Sequence, residues 1–241
     1  MTLLCLPRLL YFNADISSDT MIVSQMEVET LQWKQIPLGP LQTNCYILWN
    51  THNECLVIDP GGEGEKLIQW LENQSLSPLA ILLTHAHFDH IGAVDQMREH
   101  FNIPLYVHEK EAQWLLDPSL NGSQLFMMGE LVRLKPADYI LTNEKNLNIG
   151  DFQLQLFETP GHSPGSLSYY VQERGIVLAG DTLFMGSIGR SDLPGGNHKE
   201  LLASIHDKLL TLPEDTTVLP GHGPETSIEV EMDSNPFLNG F

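Results

Sequence analysis

The chain has 241 residues, which allows one large domain or two small ones around a sizeable core. Hydrophobic residues make up 42% of it and charged residues 18%, a globular composition that excludes a disordered chain. Lys and Arg number 12 against 31 Asp and Glu, so the net charge is −19. This charge excludes the basic surface on which nucleic-acid binding depends.

The cysteines and the apolar runs indicate where the protein works. Cys5, Cys45 and Cys55 are scattered and form no CxxC pair for metal or redox chemistry. Cys45 and Cys55 could face each other on paired strands, but we predict reduced core thiols and a cytoplasmic location. The N-terminal apolar run is interrupted by Pro7 and Arg8, so we predict no signal peptide, and no other stretch approaches the roughly 20 residues of a membrane span. We therefore expect no membrane partner.

Short β-prone segments and helical spacings alternate along the first half of the chain. Residues 1–26 are predicted to be a weakly packed extension, and residues 27–241 a single domain, because no repeat or linker divides them. The apolar patterns predict strands at residues 33–38, 44–49, 54–58, 79–83 and 105–107. Helical spacings predict helices at residues 65–73, 94–101 and 109–116.

The second half continues the alternation. Strands are predicted at residues 152–157, 167–171, 176–179 and 217–219, and a helix at residues 199–210. Both halves thus contain meanders and strand-helix-strand units. This organisation predicts an α/β fold of two mixed sheets packed face to face, with helices outside.

The densest polar cluster of the chain is THAHFDH at residues 84–90, directly after the apolar strand at 79–83. In an extended segment His85 and His87 point the same way, while Asp89 and His90 lie where the chain turns into a helix. Imidazole and carboxylate are ligands that suit zinc, iron or manganese. An exposed polar loop is the plain alternative, but a buried strand has no structural need for three histidines at its exit.

Three further ligand-type residues each follow a predicted strand: His162, Asp181 and His222. Each is preceded by Gly, which suits sharp loops whose backbone approaches a ligand closely. Asp59 also ends a strand, and it is either an acceptor for a ligand imidazole or a turn cap. We assign structural or surface roles to the other histidines, of which His108 alone ends a strand as the ligands do: His52, His100, His108, His198 and His206.

The HxHxDH motif at 85–90, with the later segments PGHSPGS, GDTLF and LPGHGP, resembles the metallo-β-lactamase superfamily. The run at residues 180–196 and the ending NPFL after the last histidine are similar to the short glyoxalase II-like hydrolases. The resemblance covers about residues 30–240 and implies a four-layer αββα sandwich. It also implies one metal ion on His85, His87 and His162, a second on Asp89, His90 and His222, and Asp181 bridging both.

Two divalent ions, expected to be Zn²⁺ although Fe or Mn would also suit, can hold a bridging water, lower its pKa and polarise a carbonyl. A hydroxide is then available to attack a thioester or ester, so no Ser or Cys nucleophile is required. Asp181 would set the spacing of the ions, and Asp89 could orient the hydroxide or relay its proton. We therefore expect a dinuclear hydrolase of a thioester such as an S-acyl-glutathione.

Arg190 is the candidate for binding the substrate. In glyoxalase II a basic residue after the bridging Asp contacts the glutathione part, and Arg190 occupies the matching place. Two features differ from the family pattern. Asp192 stands where an aromatic residue is expected, and the sequence ends at Phe241 without the C-terminal helical segment that supplies further glutathione contacts.

Other functions remain as alternatives at this level. Persulfide dioxygenases share the fold and most of the motifs but bind one iron through two His and one Asp. A binding module with a vestigial or structural metal site is a non-enzymatic alternative, although structural zinc sites are usually closed and rich in Cys. The closer resemblance to thioester hydrolases disfavours a β-lactamase, and the charge of −19 disfavours a nuclease. The sequence does not indicate an oligomeric state.

Overall fold

Short strands and helices alternate along the residues that this computed structural model describes, 31–126 and 131–238. The first sheet contains β1 (Gln32–Leu38), β2 (Thr43–Trp49), β3 (Glu54–Ile58), β4 (Ser77–Leu82), β5 (Leu105–His108) and β6 (Tyr139–Leu141). Its strands lie in chain order, antiparallel from β1 to β3 and parallel from β3 to β6. The predicted extension at residues 1–26 lies outside the described part of the chain.

The second sheet is built from the other half of the chain. It contains β7 (Lys145–Ile149), β8 (Phe152–Glu158), β9 (Leu167–Val171), β10 (Ile176–Gly180), β13 (Thr217–Pro220) and β14 (Thr226–Ser227). The strand order is β14-β13-β10-β9-β8-β7, and β10 and β13 are parallel while the other pairs are antiparallel. A small hairpin, β11 (Leu183–Phe184) and β12 (Ser187–Ile188), follows β10.

The helices are α1 (Gly64–Asn73), α2 (Phe88–Ile91), α3 (Val94–Phe101), α4 (Ser123–Phe126), α5 (His198–Asp207) and α6 (Ile228–Ser234). Side chains that accept a backbone N–H start two of them, Asn197 for α5 and Ser227 for α6, and so satisfy a donor that the helix leaves free. None of the described helices is long and apolar enough to cross a membrane.

Alternation along the central strands explains why they read as continuous apolar runs. On β2, Cys45 and Ile47 pack in a core with Leu67 of α1, whereas Tyr46 and Leu48 pack in a second core between the sheets. A third core joins the outer face of the second sheet to α5 and the start of α6. The layers are therefore helix, sheet, sheet, helix, which confirms the predicted αββα sandwich.

The structure corrects several of the predicted elements. The helix predicted at 109–116 is wrong: a 3₁₀ turn at Glu109–Glu111 is followed by further turns, whose backbone hydrogen bonds join residues three rather than four positions apart. The helix predicted at 199–210 ends at Asp207 and is followed by a 3₁₀ turn at Leu209–Thr211. The sequence patterns did not indicate β6, β7, the hairpin or α6. The first two are edge strands with exposed polar or apolar positions, so their periodicity is weak.

The two described cysteines are buried free thiols, as predicted. Cys55 lies opposite Trp49 in the β2–β3 register, so Cys45 and Cys55 do not face each other.

Candidate metal centre

Four loops that leave strand ends meet at one edge of the sandwich. The 84–90 loop follows β4, and the loops carrying His162, Asp181 and His222 follow β8, β10 and β13. Glycines allow the approach: a Cβ on Gly221 would lie 2.1 Å from Asp181 Oδ1 and 2.9 Å from His90 Cε1. No side chain fits at that point, and this explains the Gly before His222.

The first group of ligand-type residues contains His85, His87 and His162, all buried, with one nitrogen of each within 4.8 Å of the others. His87 Nδ1 lies 2.9 Å from His162 Nε2. His85 and His87 come from the same extended segment, and His162 lies in the loop after β8, 75 positions after His87. The fold therefore brings together the three histidines that the sequence groups.

The second group contains Asp89, His90 and His222. His222 Nε2 lies 3.1 Å from Asp89 Oδ2, and His90 Nε2 lies 3.7 Å from the same oxygen. Asp89 and His90 lie in the short helix α2, which turns them toward the loop after β13. These are the three residues that the resemblance assigns to a second ion.

Asp181 lies between the two groups. Its Oδ2 is 3.6 Å from His162 Nε2 of the first group and 3.6 Å from His222 Nε2 of the second. Its Oδ1 is 3.5 Å from His90 Nε2. One carboxylate thus reaches both clusters, as a bridging ligand requires.

The donor atoms facing the centre fit a bound cation. His85 Nε2, His90 Nε2 and Asp181 Oδ1 are buried, and none of them has a hydrogen-bond partner in the described part of the chain. Buried polar atoms without a partner are costly unless another group binds them. Imidazole and carboxylate together suit divalent metal ions of the zinc and iron type. The clusters are therefore candidate sites for divalent metals.

Hydrogen bonds behind the ligand-type residues set their orientation. Asp59 Oδ2 lies 2.9 Å from His90 Nδ1, and Asp59 Oδ1 accepts the backbone N–H of Thr84. His162 Nδ1 donates to the carbonyl oxygen of Arg190 at 2.8 Å. In each histidine the other nitrogen, Nε2, is then directed at the centre. The first of the two hypotheses for Asp59, an acceptor for a ligand imidazole, agrees with this geometry.

The electrostatics of the centre also favour a cation. Burial, followed by the nearby imidazoles, lowers the pKa of His85 well below its ordinary value, and burial lowers that of His87 to about 3. Burial alone would raise the pKa of Asp181, but His90 and the other imidazoles together hold it below its usual range. Burial would lower the pKa of His90 and His222, but the neighbouring carboxylates, Asp89 foremost, raise it above the ordinary value in both. The centre thus favours neutral imidazoles at His85 and His87 and an ionised carboxylate at Asp181, the forms that bind metal.

The sequence reasoning missed Glu111. Its fully buried carboxylate accepts the backbone N–H of Ala86 at 2.6 Å, the N–H of Gly165 at 2.7 Å and the hydroxyl of Ser163. It therefore ties the loop of His85 and His87 to the loop of His162. No sequence signal separates Glu111 from the exposed Glu109 two residues earlier, since only the fold buries one of them.

His108 and Arg190, which the sequence analysis also considered, do not belong to either ligand group. His108 Nε2 pairs with Glu158 Oε1 at 3.1 Å. Arg190 lies on the wall of a cavity above the centre, but Asp192 binds its guanidinium through two hydrogen bonds of 2.8 and 2.9 Å.

A comparison with family models matches residues 38–222 to the metallo-β-lactamase superfamily. The chain belongs to this superfamily. A relative named probable metallo-hydrolase YqgX, from Bacillus subtilis, is 56% identical over 88% of this chain and 99% of its own length. The hydroxyacylglutathione hydrolase GloC of Haemophilus influenzae is 36% identical over 85% of this chain and 96% of its own.

Solved structures of the superfamily support the same assignment. The crystal structure of BLEG-1, described as a B3 metallo-β-lactamase, is 59% identical, with a TM-score of 0.85 over 87% of this chain and all of its own. TTHA1623, solved in a di-iron-bound form, is 40% identical, with a TM-score of 0.72 over 85% of this chain and all of its own. The superfamily and the His/Asp clusters make this chain a metallo-hydrolase with a small-molecule substrate.

Proposed function

We propose that the chain is a dinuclear metal-dependent hydrolase that cleaves thioesters of the S-acyl-glutathione type. The observation that carries the proposal is the position of Asp181, whose carboxylate lies within 3.6 Å of nitrogens in both His/Asp groups. A shared carboxylate is the arrangement that holds two ions close together. The relative named hydroxyacylglutathione hydrolase supports the choice of thioester.

In this proposal His85, His87 and His162 would hold one ion and Asp89, His90 and His222 the other, with Asp181 shared between the two groups. Zn²⁺ is the proposed metal, and the same donors suit Fe and Mn. Bound divalent ions supply Lewis acidity and lower the pKa of water. The similar protein TTHA1623 was solved in a di-iron-bound form, so iron is a real alternative to zinc. Metal analysis of the purified protein decides between the two.

The protein's own residues have separate tasks. Thr43 Oγ1 donates to Asp89 Oδ2 at 3.0 Å, which orients this carboxylate toward the centre so that it can hold or pass on a proton. Asp59 and the carbonyl of Arg190 keep His90 and His162 in the required tautomer. Arg190 on the cavity wall is the proposed contact to the thiol half of the substrate, and a weak one because Asp192 already pairs with its guanidinium. The buried free thiols of Cys45 and Cys55 support a cytoplasmic location.

The test is metal analysis and thioester hydrolysis on one preparation. We expect two ions per chain, hydrolysis of an S-acyl-glutathione, and no oxygen consumption. One iron per chain with oxygen uptake on a persulfide would instead establish the dioxygenase alternative. Loss of all turnover in a fully metallated sample, across a panel of esters and thioesters, would favour a binding module.

β-Lactam hydrolysis is a second candidate, because BLEG-1 is described as a metallo-β-lactamase and is 59% identical. The same metallated sample should be assayed with a chromogenic cephalosporin. If its kcat/KM for the cephalosporin exceeds that for every thioester tested, the thioester assignment is wrong.

A further inference from the structure

The cavity above the metal centre has a volume of about 430 Å³ and walls of mixed character. Ligand-type residues form its floor, including His87, Asp181 and His222. Large apolar side chains form its walls: Leu41, Phe88, Phe126, Phe184 and Leu193. A cavity of this size and lining is typical of a small-molecule site.

The apolar wall is organised rather than incidental. The rings of Phe88 and Phe126 stack with centroids 5.9 Å apart and planes 25° apart, and a Cβ on Gly122 would lie within van der Waals contact of both. Opposite them, the ring of Phe184 lies 6.5 Å from the imidazole of His222. Leu41 and Phe126 are 53% and 46% exposed, so large apolar surfaces face water beside the reaction centre. Covering such surfaces with an apolar ligand lowers the free energy, because apolar area is removed from water.

Apart from the proposed metal ions at its floor, the cavity offers little to a negatively charged group. Among the described residues that line it, Arg190 is the one Lys or Arg side chain, and Asp192 already occupies the Nε and Nη2 edge of its guanidinium. This pairing lowers the pKa of Asp192 to about 2, so the carboxylate stays ionised and competes with any substrate carboxylate. The net charge of −19 disfavours anions further.

We propose that the acyl group, lying in the apolar cavity, determines substrate selection, and that the preferred substrates are thioesters of medium-length apolar acyl chains. Carboxylates on the thiol half contribute little. This inference rests on the proposed thioester hydrolysis and specifies its substrate class.

Binding without turnover provides the first test. The probes are S-alkyl thioethers of N-acetylcysteamine, from methyl to octyl, titrated into the protein by calorimetry with and without metal. We expect Kd to fall roughly three- to fourfold for each added methylene until the cavity is filled. The heat-capacity change should become more negative along the series. A Kd that does not depend on chain length would overturn the inference.

Substitution in the wall provides the second test. Leu41→Ser should reduce the ratio of kcat/KM for octanoyl over acetyl thioesters at least fivefold, because it removes apolar surface that only the longer chain covers. Ile140→Ser is the matched control, a similarly exposed aliphatic residue on the edge strand β6, away from the cavity. The control should keep the wild-type ratio. Equal ratios in the Leu41 variant and the wild type would contradict a role of this wall in selection.

Releasing Arg190 provides the third test. The octanoyl thioesters of glutathione and N-acetylcysteamine should have kcat/KM values within about threefold of each other in the wild type. Asp192→Asn frees the guanidinium, so this variant should favour the glutathione thioester about tenfold. A wild-type preference of tenfold or more for glutathione, abolished in Arg190→Gln, would show that charge selects the substrate.

The inference and the proposed function fail in different ways. Hydrolysis that does not depend on acyl length leaves thioesterase activity established and removes the acyl-chain inference. Absence of hydrolysis for every chain length, in a sample with two ions per chain, removes the proposed function itself.

Discussion

Asp181 is the residue on which the centre depends most, because its carboxylate reaches both His/Asp groups. Asp181→Asn should lose one ion or reduce kcat/KM by more than the 10–100-fold typical of residues behind the ligands. A neutral amide offers one oxygen and no charge to balance two cations. Metal content by mass spectrometry and thioester kinetics measure both effects.

Asp215→Asn is the matched control for this substitution, since Asp215 is an exposed aspartate in a turn. It should leave the metal content and the rate unchanged. If Asp181→Asn also leaves both unchanged, Asp181 does not belong to the centre.

His162 and His222 should serve different ions, because they lie in separate clusters on either side of Asp181. His162→Ala and His222→Ala should therefore each lower the metal content to about one ion per chain. Substituting cobalt in each variant should give different absorption spectra, since the remaining ion has different ligands. His206→Ala, an exposed histidine on α5, is the control and should keep both ions. Identical spectra from the two variants would contradict the assignment of separate ions.

At the scale of elements, Glu111 joins the loop after β4 to the loop after β8 through hydrogen bonds to Ala86, Ser163 and Gly165. These groups all donate, so a carboxylate can accept from all of them, whereas Glu111→Gln directs an N–H at a donor. The variant should lose about 1–3 kcal/mol of stability in the metal-free protein. It should also bind metal at the His85, His87 and His162 group about 10–100-fold more weakly.

Urea unfolding of the metal-free protein and competition with a zinc chelator measure these two effects. Glu109→Gln changes an exposed residue in the same 3₁₀ turn and should change neither quantity. A Glu111→Gln variant with wild-type zinc affinity would mean that the two loops hold their positions without this carboxylate.

At the scale of the whole molecule, both metal binding at the centre and the net charge of the chain affect the free energy of unfolding. Metal ions that bind only the folded chain at 1,000 times Kd stabilise it by about 4 kcal/mol. For a chain of this size that raises Tm by about 8–16 °C. Chelation should therefore lower Tm by that amount, and re-addition of zinc should restore it, as measured by scanning calorimetry. A Tm unaffected by chelation would show that the His/Asp clusters do not bind metal in the folded protein.

The same chelation experiment in Asp215→Asn should give the wild-type shift in Tm, while Asp181→Asn should give a smaller one.

Added salt should raise the Tm of the metal-free protein, because screening weakens the repulsion within a chain of net charge −19. This salt effect is independent of the centre and separates the two contributions.

The sequence alone determined the layers of the fold and predicted the members of the candidate centre. Strands such as β2 and β4 read as apolar runs because both of their faces are buried. The ligand-type residues could be found because each segment that carries them comes after a predicted strand, and in the structure these strand ends meet at one edge. Local sequence patterns were sufficient for both inferences, since an apolar run and a polar residue after it involve residues close together in the chain.

Only the tertiary structure decided how the centre is supported and what lies above it. Glu111 reaches Ala86 and Gly165 across 25 and 54 positions of the chain, and Asp59 reaches His90 across 31. The apolar wall likewise combines Leu41 with Phe126 and Leu193, from three distant segments. Asp192 is only two positions from Arg190, yet the sequence spacing does not predict that its carboxylate pairs with the Arg190 guanidinium. These features depend on which surfaces the folded layers bring into contact, and that is a property of long-range packing rather than of local pattern.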